Sequence, residues 1–164
     1  SLWLFATTLS FGANFDDGLN AAEKGDYKTA LSIFEDLAKK GDIEAQYNLG
    51  LMYLDGLGVK QDYKKAFEWW EKAANQGYED AQYSLGNCYY YARGVPQDYA
   101  KAIRWYRASA NEGHVGSQYH LGICYYYGYG ISKDYAKALN CYIKAAKQGS
   151  VESKNILKDL GYSF

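Results

Sequence analysis

An Asp-Tyr pair recurs at Asp26-Tyr27, Asp62-Tyr63, Asp98-Tyr99 and Asp134-Tyr135, a step of 36 residues held over most of the 164-residue chain. Lys-Ala follows at Lys65-Ala66, Lys101-Ala102 and Lys137-Ala138, with Thr29-Ala30 in the first copy, and a glycine closes each copy at Gly41, Gly77, Gly113 and Gly149. Between these beats runs a second motif, Ala45-Gln46-Tyr47-x-Leu49-Gly50-x-x-Tyr53, which returns over residues 81–89 and 117–125. A unit of this length holds two helices and cannot bury its apolar face alone; stacked copies bury a continuous core. The period therefore predicts an all-α solenoid of stacked helix pairs. Such a scaffold offers a long surface rather than an enclosed pocket, which makes binding its default function.

One repeat shows how the residues specify the pair. Ala45, Leu49, Met52 and Tyr53 fall at helical spacing on one face, which predicts a first helix over about 42–54. Gly50 lies inside that helix and is the station where the second helix comes close. Gly56-Leu57-Gly58-Val59 then stops it, the glycines taking positive φ and Val59 tucking back into the core. Asp62 caps the second helix, and Lys72 near its end suits the helix dipole. Ala66, Trp69, Trp70, Ala73 and Ala74 alternate large and small residues along that helix, as interlocking packing requires, and Gly77 ends it. The turn returns as Arg93-Gly94-Val95 and Gly128-Tyr129-Gly130-Ile131. A Gly-x-Gly can cradle phosphate, but here it follows a helix and no Lys-Ser or Lys-Thr comes next, so it is read as a turn.

A net charge of -1 is no strong electrostatic bias and argues against nucleic acid as a partner, since that normally needs a basic face. The nonpolar segments within the repeats are too short and interrupted to cross a bilayer. Residues 2–13 contain no charge and read as the apolar core and small-residue end of a secretory signal, with cleavage after Ala13, or else as an apolar cap on the solenoid. Cys88 and Cys124 occupy the same station in successive repeats; helices in contact lie ~8–10 Å apart, whereas a disulfide wants Cα atoms within ~7 Å. Cys141 stands in the next helix, within possible reach of Cys124, and an odd count leaves at least one free thiol. All three are read as small buried apolar groups.

The recurring Ala-x-x-x-Leu-Gly-x-x-Tyr, Gly-x-Gly-Val, Asp-Tyr, Lys-Ala, Trp and Ala-Ala-x-x-Gly stations resemble the Sel1-like repeat, a relative of the tetratricopeptide repeat, from about Asp26 to Gly149. The resemblance implies a right-handed α/α superhelical solenoid of antiparallel helix pairs and an adaptor role, including bacterial signalling, envelope and host-contact roles. It divides the chain into residues 1–13, a degenerate first pair over 14–41, three repeats over 42–149 and a closing helix over 150–164. The cysteine-rich secreted branch of the family has Cys where this chain has Ala38, Ala45, Ala74 and Ala81, so that branch's disulfides and activities do not carry over.

In related repeats the first helix of each pair lines the concave face. That implies groove stations at Tyr47 and Leu51, at Tyr83, Asn87, Tyr90 and Tyr91, and at Tyr119, Ile123, Tyr126 and Tyr127, with Glu44, Leu54, Asp55, Asp80 and Gly116 alongside. Tyrosine gives large amphipathic contact area at low entropic cost, which suits a protein-binding surface; the competing role for these rings is to seal gaps between repeats. Chemistry is less well provided. His120 and Cys124 lie four apart on one helix face, a spacing that fits a metal or a thiol–imidazole pair, but the pattern places no orienting carboxylate. Arg104 and Arg107 are read as a surface pair on the outer face. The expectation is a non-catalytic scaffold, without metal or cofactor, that binds a protein or peptide in a Tyr-rich groove, in the periplasm or secreted, with the cytoplasm as the alternative. The other readings are an immunity protein against a secreted toxin and, for want of any convincing carboxylate pair or nucleophile more weakly, an envelope-polymer hydrolase.

Overall fold

The computed structural model describes residues 12–163. Among them run nine α-helices: α1 (Phe15–Glu23), α2 (Tyr27–Lys39), α3 (Ile43–Asp55), α4 (Tyr63–Asn75), α5 (Glu79–Tyr91), α6 (Tyr99–Asn111), α7 (Val115–Tyr127), α8 (Tyr135–Lys147) and α9 (Val151–Asp159). Each helix packs on the next in chain order, giving an all-α solenoid, and α5 also touches α7 directly. That contact puts the first helices of the pairs on the inner side of the curve. Of the apolar segment 2–13, read above as an export signal or cap, all but Gly12 and Ala13 lies outside the described residues. No helix among the described residues is long and apolar enough to cross a membrane.

The packing unit is a ring against a glycine. Each second helix carries one large ring flanked by alanines: Phe34 by Ala30 and Ala38, Trp70 by Ala66 and Ala74, Tyr106 by Ala102 and Ala110, Tyr142 by Ala138 and Ala146. The four rings lie over Gly18, Gly50, Gly86 and Gly122 of the paired first helices, where a Cβ would collide with them. That contact accounts for a mid-helix glycine that costs ~1 kcal/mol in propensity. Polar tips then fix the rings: the Trp70 indole N–H donates to the Tyr47 carbonyl at 3.2 Å, and the Tyr106 hydroxyl donates to Asn87 Oδ1 at 2.8 Å.

The helix starts follow the motif. Asp62, Asp98 and Asp134 each accept a backbone N–H three residues on, at 3.0 Å, and Asp26 does the same at 3.2 Å. The Gly-x-Gly segments are turns with a second task. Gly58, Gly94 and Gly130 press on the backbone of Tyr27, Tyr63 and Tyr99, at the start of the second helix of the preceding pair. Each turn thereby joins one repeat to the last. All three cysteines are free; burial raises the Cys88 and Cys124 thiols to about 12, so they act as apolar packing groups.

Candidate functional site

The ten candidate residues all lie on the inner helices: Tyr47 and Leu51 on α3, Tyr83, Asn87, Tyr90 and Tyr91 on α5, and Tyr119, Ile123, Tyr126 and Tyr127 on α7. None is fully buried, and Tyr91 and Tyr127 are 50% and 55% exposed. They do not form one patch. Tyr47 packs edge-on against Tyr78, with centroids 5.2 Å apart, and Leu51 lies against the N-terminal part of the core. The rest gather over α5 and α7 around His120, whose ring has Tyr83, Tyr90, Tyr91 and Tyr119 within 5.3–6.3 Å. Tyr90 continues to Tyr129 at 6.1 Å, and Tyr129 stacks on Tyr99 at 5.1 Å and on Tyr127 at 5.5 Å. Tyr126 then meets Tyr127 at 5.0 Å. The result is a continuous aromatic surface across two repeats.

Within it the rings divide their work. Tyr90 touches Tyr91, Tyr99, Tyr106, His120 and Tyr129, and its burial pushes the hydroxyl pKa well up; it seals the joint between repeats. Asn87 is likewise engaged inward, by the Tyr106 hydroxyl. Tyr91 and Tyr127 present their rings to solvent.

Two recesses open on this surface and share Tyr119. One, of about 280 Å³, is lined by Tyr83, Val115, Gly116, His120, Ser150 and Glu152 as well. The other, of about 300 Å³, adds Ile123, Tyr126, Tyr127, Ile156 and Leu160 among others. The α9 residues Glu152 and Ile156, its C-cap Leu160 and the loop residue Tyr129 were not among the sequence candidates. The signals were present: Ser150 and Ser153 stand one period after His114 and Ser117, so α9 continues the inner row, and Tyr129 replaces Leu57 and Arg93 of the earlier turns.

The histidines are structural. His120 Nδ1 lies 2.9 Å from the Gly116 carbonyl, which can only accept, so Nδ1 carries the proton and Nε2 accepts from the Tyr91 hydroxyl at 3.3 Å. With both nitrogens committed and burial lowering its pKa, His120 forms no thiol–imidazole pair with Cys124. His114 caps α7: its Nδ1 accepts the Ser117 N–H at 3.1 Å, and Nε2 donates to Asp80 at 3.2 Å. Burial lowers its pKa too, against the raising effect of Asp80. Among the described residues no three His, Cys, Asp or Glu side chains converge as metal ligands would.

Three consecutive matches to the Sel1 repeat, over residues 43–78, 79–114 and 115–150, show that the chain belongs to the Sel1 repeat family. Sel1 repeats are scaffolds that typically mediate protein–protein contacts and are generally non-catalytic. Among solved structures the chain is similar to a Sel1 repeat protein from Oxalobacter formigenes, at 31% identity and a TM-score of 0.84 over 91% of this chain and 62% of that one. It is similar as well to a protective antigen of uropathogenic Escherichia coli with an SLR fold, at 35% identity and a TM-score of 0.79. That match covers 89% of this chain but 36% of the antigen. A cysteine rich protein B of Helicobacter pylori, 22% identical over 89% of this chain and 98% of that one, shares the fold with a TM-score of 0.59. No curated protein matches the sequence.

Proposed function

We propose that this chain is a non-catalytic adaptor that captures a protein or peptide partner in the groove formed by α5, α7 and α9. The observation that carries this reading is the continuous aromatic surface on the inner side, from which Tyr91 and Tyr127 project at 50% and 55% exposure. Exposed aromatic patches of this kind mark interaction sites, and a few such anchors supply most of the energy of an interface. The groove residues are Tyr83, Tyr90, Tyr91, Tyr119, Ile123, Tyr126 and Tyr127, with Asn87 positioning Tyr106 beneath them. Tyr47 and Leu51 extend the same face toward the N-terminal end. The uncharged segment 2–13 supports a place in a bacterial envelope, periplasmic or secreted.

The test is a pull-down from lysate of the source cell with the intact chain and with Tyr91→Ala/Tyr127→Ala, read by mass spectrometry. These two rings are the better choice over Tyr90 and Tyr126 because they contribute less to the joints between repeats. A partner retained only by the intact chain supports the groove, and its identity separates an envelope component from a secreted toxin. Recovery of the same partner by both forms places the contact elsewhere.

A further inference from the structure

The charges of this molecule are sorted by helix. The inner helices α3, α5 and α7 contain no lysine or arginine at all, whereas α2, α4, α6 and α8 carry Lys28, Lys64, Lys65, Lys72, Lys101, Arg104, Arg107, Lys137 and others. The inner side instead carries carboxylates: Glu44 on α3, Glu79 and Asp80 on α5, and Glu152 where α9 joins the groove. None of these four pairs with a lysine or arginine among the described residues; Asp80 accepts from His114, the N-cap of α7, and Glu152 from the Ser150 hydroxyl at 3.1 Å. They sit close to the groove rings. Burial first, and then the Glu152 carboxylate, raises the Tyr119 hydroxyl pKa; burial and then Asp80 raise Tyr78, and Tyr47 to about 12.

An aromatic wall beside an unpaired carboxylate is a receptor for a cation, since the ring faces and the carboxylate attract the same charge. The chain already displays such pairing at the rim, where the Arg93 guanidinium lies 5.4 Å over the Tyr91 ring. The two recesses that share Tyr119 differ in character. Both are walled mainly by apolar surface: the one with Tyr83 sets the Glu152 carboxylate among aromatic rings, whereas the one with Tyr126 adds the aliphatic Ile123, Ile156 and Leu160 beside Asp159. At about 280 and 300 Å³ each falls at or below the small end of the ~300–1,000 Å³ typical of small-ligand sites. Each is sized for one side chain of a longer segment. Lys154 and Lys158 of α9 line a different recess, with Gly161 and Tyr162.

Resting on the groove reading above, we infer that the partner is a basic peptide segment whose lysine or arginine enters the Tyr83–Tyr119–Glu152 recess while a neighbouring apolar side chain fills the Ile123–Tyr126–Ile156 recess. Charge complementarity selects the partner and speeds its approach, and the apolar side chain holds it.

The probe is a random dodecapeptide phage library panned against the full chain, followed by fluorescence anisotropy of the recovered peptides. Enrichment of lysine or arginine beside leucine, isoleucine or an aromatic residue is the expected result. Asp80→Asn/Glu152→Gln, which keeps shape and the His114 hydrogen bond, then weakens those peptides about tenfold or more without lowering Tm. Recovered peptides without basic residues, or basic ones whose affinity this variant leaves unchanged, overturn the inference. If such peptides still lose binding to Tyr91→Ala/Tyr127→Ala, the groove reading stands without it; failure to recover any peptide overturns both.

Discussion

A single glutamate interrupts a polar ladder that the other repeats complete. The Gln76 amide donates to Gln46 Oε1, and the Gln148 amide to Gln118 Oε1, both at 2.8 Å. Glu112 holds the equivalent station opposite Gln82, and Gln82 Oε1 is left buried without a partner. A carboxylate has no proton to give it. Glu112→Gln should therefore stabilise the fold by about 1 kcal/mol in urea denaturation, and no gain would show that the orphan atom is satisfied otherwise. A second local exception is Ala92, held at φ 57° where the neighbouring repeats place Gly56 and Gly128. The left-handed region costs a non-glycine residue about 1–2 kcal/mol, partly offset by the greater chain entropy of glycine when unfolded. Ala92→Gly should raise stability by about 0.5–1 kcal/mol, and a loss would contradict the strain. The histidines set a pH dependence. Burial depresses both His114, which faces Asp80, Glu79 and Tyr83, and His120, which faces Tyr83, Tyr90, Tyr91, Tyr106, Tyr119 and His114. The unfolded chain takes up these protons near pH 6.5 and the native chain resists them. Their contribution is complete above that pH and lost as the pH falls below it, so Tm should drop between pH 7 and pH 5 by circular dichroism; a flat profile would contradict the assignment.

At the scale of helices, the ring-on-glycine contact decides how closely each pair packs. Gly86→Ala would ordinarily gain about 1 kcal/mol in helix propensity. Here the new methyl meets the Tyr106 ring, which the Asn87 hydrogen bond holds in place. Overpacking of this kind costs about 1–3 kcal/mol, so the substitution should lower the urea midpoint, whereas a rise would mean that the ring can move aside. The same contact shows why so much of the fold was legible. Gly50, Asp62 and Gly77 act through neighbours in their own pair, and a period that repeats them announces the pair in the sequence. The groove was less legible, because it is made between pairs. Tyr90 and Tyr91 are adjacent in sequence, yet one seals a joint and the other faces solvent. The stacking of Tyr129 on Tyr99 and Tyr127, and the entry of Glu152 and Ile156 from α9, depend on how one repeat sits on the next. His120 and Cys124 had the spacing of a reactive pair, but the imidazole is bonded to Gly116 and Tyr91 instead.

At the scale of the whole molecule, among the described residues, aromatic rings and carboxylates line the inner helices α3, α5 and α7, while most lysines and arginines lie on α2, α4, α6 and α8. On that outer side the cations rest on rings of their own chain, as Lys65 does on Tyr53 at 5.2 Å and Lys101 on Tyr89 at 5.3 Å. Arg107 donates to the Tyr125 hydroxyl at 2.9 Å, which ties α6 to α7 and fits the surface role expected of it. On the inner side Tyr91 and Tyr127 keep half of their surface exposed, Tyr91 with only Arg93 at 5.4 Å over its ring, and there a partner would find its anchors. The most direct measurement is the affinity of a captured partner for the intact chain and for Tyr91→Ala/Tyr127→Ala, by titration calorimetry with Tm as the control for folding. Loss of tenfold or more in affinity, about 1.4 kcal/mol, in a variant that stays folded at the assay temperature is the predicted result, with some fall in Tm from the lost Tyr91–His120 hydrogen bond. Equal affinity for the two forms would contradict a binding groove on the inner face.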